Sequence, residues 1–216
     1  QDFLIMILAA VLLLLFSIDK DISRVEGAVL FFGYLVYIWF LWLKEGNKKK
    51  SSKRAELDGK GKKTIFLDFI YITVGIGVII YSAEYILRVA EFFVSSYGVG
   101  GSLIGILVIG IATALPELTT SIAAILRGAA SISIGTLIGS NITNPMLALG
   151  LGAMISSYQV PKPIIVFDLP VKIATAIIIM GFLWTSTRLS KKESIILIVM
   201  YIAYILIRMK YFAVDL

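Results

Sequence analysis

Charged residues are excluded from long stretches of this chain, and that exclusion limits its fold more than any other feature. Seven apolar runs, at 3–16, 26–43, 65–95, 103–126, 132–156, 164–187 and 193–209, alternate with short polar connections. A helix rises about 1.5 Å per residue, so roughly 20 residues cross a hydrocarbon core of about 30 Å. In lipid each backbone N–H and C=O must be satisfied internally, which selects helices. The expected fold class is therefore an all-α polytopic membrane protein. A hydrophobic content of 59% agrees, being well above that of a soluble domain.

The charges that remain set topology. Nine of the basic residues fall in the segment 44–63, read as a cytoplasmic basic loop. With alternating spans, Arg127, Arg188, Lys191 and Lys192 share that side, and the C-terminus is expected outside. The net charge of +6 is thus a matter of orientation, not of nucleic-acid binding. The lipid bilayer is the expected surrounding partner. There is no cysteine and no histidine, which excludes disulfides, thiol chemistry, serine–histidine catalysis and zinc-hydrolase sites. The chain does not read as an enzyme, and no cofactor is expected.

Among the few charges inside the runs, one carboxylate stands out. Glu117 lies within the run 103–126, directly after Pro116. A carboxylate at bilayer depth costs roughly 2.5–3.5 kcal/mol on insertion scales, so it marks a functional site. On a helix Thr113, Thr120 and Ser121 share its face. Pro116 lacks an N–H and frees the carbonyl of Ala112. In the next run Thr136, Ser140 and Asn144 are spaced i, i+4, i+8 as a polar stripe, and Pro145 frees the carbonyl of Asn141. Gly135 and Gly139 have the small-xxx-small spacing of close helix contact. Two adjacent helices interrupted at mid-membrane, offering carboxylate, hydroxyl, amide and carbonyl oxygens, suit a hard cation at a transporter midplane.

The residues A-T-A-L-P-E-L-T-T-S at 112–121 and I-G-S-N-I-T-N at 138–144 resemble the alpha-repeat of the sodium/calcium exchanger family, within the cation/calcium exchanger superfamily. The family forms are close to G-T-S-L-P-E and to G-S-N-I-x-N or G-S-N-I-x-D. The resemblance implies an inverted-repeat transporter fold of five helices per repeat, working as a secondary active antiporter. Ca²⁺ would bind at the bilayer midplane and Na⁺ or H⁺ would be the counter-ion. Carried over by position, Glu117 is the calcium-ligating glutamate, Thr113 the threonine before it, and Ser140 and Asn144 the ligands of the next helix. Two departures matter. Ala114 stands where the family usually has serine, and Asn144 stands where many sodium-coupled members have a carboxylate. The G-N-A-A-E-H type motif of typical proton/calcium exchangers is absent, so the driving ion stays open between Na⁺ and H⁺.

An internal repeat organises the rest. Ser23, Glu26, Tyr34 and Tyr37 recur as Ser190, Glu193, Tyr201 and Tyr204, each 167 residues later. The first two runs therefore correspond to the last two. Residues 1–43 read as the last two helices of a first repeat, and 64–212 as a second repeat of five helices with its ion motif at 110–145. Seven of ten helices are then present. The expected partners are the transported cations and the missing first-repeat helices or a complementary chain. The expected location is a prokaryotic plasma membrane, as a multi-pass integral protein. A second reading is a non-transporting membrane scaffold or assembly subunit with a vestigial ion site. Within the last repeat, Asp168 and Lys172 lie i, i+4 near the start of the run 164–187.

Overall fold

A computed structural model describes residues 2–45, 62–185 and 189–215. Residues 46–61 of the basic loop, and Arg188, lie outside the described residues. Helix α1 spans Asp2–Phe16, α2 Arg24–Glu45 and α3 Lys62–Tyr97. Helix α4 runs over Gly101–Leu126, with a π-helical stretch at Gly105–Gly110. Helix α5 passes from Ala130–Thr143 through a π-helical turn, Asn144–Ala148, into Leu149–Ile155. Helix α6 opens with a π-helical turn at Ile164–Asp168 and continues through Leu169–Thr185, and α7 covers Lys191–Tyr211. Each apolar run has become one of these helices, and the chain is an all-α polytopic membrane protein. Four of the described helices are long and apolar enough to cross a membrane, at Arg24–Lys44, Gly101–Leu126, Ile164–Trp184 and Lys191–Tyr211; Asp2–Phe16 is a shorter apolar helix. Large apolar side chains face outward along them, Trp184 being 83% exposed, as lipid-facing surface requires.

The expected helix breaks are milder than their prolines suggest. Helix α4 continues through Pro116 without interruption. Its loosened stretch lies upstream, between Gly105 and Gly110. At Pro145 the expectation holds in a gentler form: the missing N–H coincides with the wide turn Asn144–Ala148 rather than with a broken helix. A wide turn shifts each backbone bond back by one residue, so the chain absorbs a lost donor without ending the helix.

Helix α5 is the centre of the packing. Its second half lies against α2 so closely that a Cβ added at Gly150 would sit 2.9 Å from the Phe31 nitrogen. One added at Gly27 would meet the Ala153 Cβ at 2.6 Å. This is the small-residue crossing that membrane helices use in place of hydrophobic collapse. The sequence placed such a crossing at Gly135 and Gly139, but both have open space within 4 Å among the described residues. Spacing shows where a helix can be approached, not by what. Two buried clusters complete the core. Leu13, Ile22, Leu30, Ala153, Val160 and Leu169 form one, and Met6, Ala9, Ile142, Met146 and Ala176 form the other. They join α1, α2, α5 and α6.

The connections explain the helix order. Between α4 and α5, Gly128 takes φ +74, its N–H bonds the Ile125 carbonyl at 2.9 Å, and the Ala129 N–H bonds the Ala124 carbonyl at 2.8 Å. This double closure ends α4 and folds α5 back against it. Two short strands, Asp21–Ile22 and Tyr158–Gln159, pair antiparallel and join the α1–α2 and α5–α6 connections at one end of the bundle.

The residues of the sequence repeat do equivalent work. The Ser23 N–H bonds Glu26 at 2.8 Å and the Glu26 N–H bonds the Ser23 hydroxyl at 3.3 Å, starting α2. The Ser190 N–H bonds Glu193 at 2.6 Å and the Glu193 N–H bonds the Ser190 hydroxyl at 3.3 Å, starting α7. Both are capping boxes, each satisfying two helix-end donors. The Tyr34–Tyr37 and Tyr201–Tyr204 ring pairs are also alike, with centroids 6.4 and 6.3 Å apart.

Candidate cation site

Antiparallel packing of α4 and α5 brings the two halves of the motif together around an open cleft of about 860 Å³. Thr113, Glu117 and Ser121 line it from α4, Ser133, Ser140, Asn141 and Asn144 from α5, and Tyr201 from α7. All four sequence-predicted residues, Glu117, Thr113, Ser140 and Asn144, meet there. Two atoms stand out. The Glu117 Oε2 and the Ser121 Oγ are buried, and neither has a hydrogen-bond partner. A buried carboxylate oxygen without a donor is costly, and nothing among the described residues compensates for it.

The hydroxyls around it are oriented by their own helices. The Thr113 hydroxyl donates to the carbonyls of Ile109 and Gly110, at 2.9 and 3.1 Å, where the π-helical stretch rejoins the α-helix. The Ser140 hydroxyl donates to the Leu137 carbonyl at 3.2 Å. The Asn141 amide donates to the same carbonyl at 3.0 Å. Donation inward fixes each rotor and leaves oxygen lone pairs for the cleft. Among the described residues there is no group of three or more His, Cys, Asp or Glu that could hold a metal. The cleft therefore offers one carboxylate with several neutral oxygens. That composition suits a hard cation completing its shell from elsewhere, not a soft-metal centre.

The stripe on α5 differs from the expected one. Thr136 does not line the cleft, and its hydroxyl donates to the Ile132 carbonyl at 3.0 Å. Ser133 takes its place. At about 100° per residue, a series in steps of four drifts about 40° each time, leaving Thr136 about 80° from Asn144. Ser133 lies within about 20° of both Ser140 and Asn144 in the same arithmetic. On α4, Thr120 is likewise outside the lining and donates to the Pro116 and Glu117 carbonyls at 2.9 and 3.0 Å. Tyr201 was visible in the sequence only as the repeat partner of Tyr34.

A second polar cluster was missed. Arg208, in the last turn of α7, is fully buried and pairs with Asp168 of α6 at 3.1 Å. The Tyr204 hydroxyl also donates to Asp168, at 2.9 Å. Arg208 further donates to the Ser102 hydroxyl at the start of α4, and Ser102 in turn donates to Asp215 of the C-terminal tail. The Ser102 N–H bonds Asp215 as well, at 2.9 Å. These contacts fasten the N-terminus of the glutamate-bearing helix to α6 and α7. They give Asp168 its charged partner, Arg208. The partner is 40 residues away, and local spacing could not show it.

The family model described as sodium/calcium exchanger protein matches residues 67–210, which contain every residue lining the cleft. Sodium/calcium exchanger MaX1 of Methanosarcina acetivorans is 26% identical over 205 residues, covering 87% of this chain and 57% of that protein. Putative antiporter CaxA of Alkalimonas amylolytica is 28% identical over 212 residues, covering 94% of this chain and 66% of its own length. Inner membrane protein YrbG of Escherichia coli is 30% identical over 139 residues, covering 64% of this chain and 42% of that protein. The chain thus spans between 57% and 66% of the first two relatives. No solved structure matches it.

Proposed function

The chain belongs to the sodium/calcium exchanger protein family, and from that premise we propose that it is the larger part of a secondary antiporter exchanging Ca²⁺ for Na⁺ or H⁺. The observation that carries this reading is Glu117 in the lining of the cleft, with one carboxylate oxygen buried and unpartnered. In the proposal Glu117 is the charged ligand, and Thr113, Ser140 and Asn144 add neutral oxygens. Ca²⁺ takes six to eight oxygens. The remainder, including a second carboxylate, would come from first-repeat helices or a complementary chain, and the open space beside Gly135 and Gly139 supports such a neighbour. The cation would sit near the bilayer midplane in a prokaryotic plasma membrane, with the C-terminus outside.

The test is ⁴⁵Ca²⁺ uptake into vesicles by the whole protein, driven by a Na⁺ or a pH gradient. Glu117→Gln keeps the shape and removes the charge, so uptake is expected to fall to background while the protein still folds. Near-normal uptake would sink the assignment and favour the scaffold reading.

The coupling ion follows from Asn144, which faces the cleft as a neutral amide. One negative charge fewer leaves less to hold several Na⁺ at once. A proton gradient is expected to drive calcium flux more effectively than a Na⁺ gradient. Asn144→Asp should increase the ability of Na⁺ to compete. Wild-type flux driven steeply by Na⁺, with no proton movement seen by a pH dye, would contradict this.

A further inference from the structure

A second cavity adjoins the cleft along helix α5. This space, of about 310 Å³, is walled by apolar residues of α1, α5, α6 and α7, among them Met6, Ile138, Ala176 and Leu197, and it contains Lys172. Asn141 and Leu137 line both the cavity and the cleft. Lys172 is the ninth residue of the helical segment beginning at Ile164, about 12 Å along it, too far in for an easy reach to the interface. Asp168, the carboxylate one turn away, is committed to Arg208 and Tyr204. Among the described residues Lys172 has no ion pair. The other carboxylates on the elements around it are Asp2 in the first turn of α1, Glu193 in the first turn of α7, and Glu117 on α4, across α5.

We infer that Lys172 is a resident positive charge set behind Asn141, which opposes cations in the Glu117 cleft and sets how strongly the site discriminates by valence. Packed helices lie about 8–10 Å apart, so charges borne by α4 and α6 on either side of Asn141 are separated by roughly 10 Å. At an effective dielectric constant of about 20, one positive charge there weakens a monovalent cation by about tenfold and a divalent one by about a hundredfold. The fixed ammonium therefore keeps Ca²⁺ binding loose enough for release, and it supplies part of the charge that balances Glu117 when the cleft is empty. The inference rests on the reading of the cleft as a cation site.

The experiment is equilibrium binding of Ca²⁺ and of Na⁺ to the whole purified protein, for wild type, Lys172→Met, Lys172→Arg and Glu117→Gln. Methionine preserves length and flexibility in the apolar cavity. Lys172→Met is expected to tighten Ca²⁺ binding by about a hundredfold and Na⁺ binding by about tenfold, while Lys172→Arg stays near wild type. A gain of affinity that scales with valence cannot come from a folding defect. Unchanged or weakened Ca²⁺ binding in Lys172→Met, an equal gain for both ions, or a methionine variant indistinguishable from wild type beside a weakened arginine variant, would each overturn the inference. If wild type and Glu117→Gln bind Ca²⁺ alike, the cleft assignment itself has failed, and the two failures are told apart.

Discussion

The two faces of α5 are equally helical and have been given opposite tasks. Toward α2 the backbone of Gly150 lies so near Phe31 that no side chain fits between them. Toward α4 the same helix shows Ser133, Ser140 and Asn144 to a cleft wide enough for a solvated ion. On the sealed face small residues let the backbones touch, and that contact stabilises a membrane bundle. On the open face the polar atoms are held by their own helix, and the Glu117 carboxylate opposite them has an oxygen with no partner. Hydropathy cannot separate these faces. What separates them is whether the polar atoms are satisfied from within the chain.

The largest expected effect breaks the device that holds the cleft's far wall. Helix α4 is anchored at its N-terminus through Ser102, Arg208 and Asp168, with Gly100 packed closely against Asp215. Removing one partner of a buried ion pair strands the other. Arg208→Met should therefore destabilise the protein by about 3–5 kcal/mol, measured by thermal unfolding in detergent. A loss below about 1 kcal/mol would show that the clasp is incidental.

The next test compares the faces directly. Gly150→Ala forces a Cβ against the Phe31 backbone and should cost about 1–3 kcal/mol. Gly139→Ala enters open space and should change the stability of the 216-residue chain by less than about 0.5 kcal/mol. Equal effects would erase the distinction between a sealed and an open face. A further test concerns the repeat. Ser23→Ala removes the capping hydroxyl of α2 and should cost about 1 kcal/mol. Ser190→Ala should produce a comparable loss, because it removes the same contact at the start of α7.

Much of this was legible in the sequence for identifiable reasons. Runs of apolar residues located the helices because lipid permits little else. The spacing of Ser23 to Glu26, repeated at Ser190 and Glu193, located two helix starts because a capping box is built from residues three apart. Glu117 was legible because a lone carboxylate is conspicuous among apolar residues. Thr136 misled because steps of four rotate around a helix, whereas Ser133 lies two full turns from Ser140. Asp168 and Lys172 stand one turn apart in the sequence, while the charged partner of Asp168, Arg208, approaches from another helix. Position along one helix is written locally. Which neighbour covers each face is decided by contacts between residues far apart in the chain.

The central claim is that Glu117 binds the cation because the protein leaves its carboxylate unsatisfied. Equilibrium ⁴⁵Ca²⁺ binding to the whole purified protein tests this most directly, with wild type compared against Glu117→Gln at equal, verified folding. Saturable binding by wild type, competed by Na⁺ or by protons, that disappears in Glu117→Gln is the predicted result. Saturable binding of similar affinity in both proteins would contradict it.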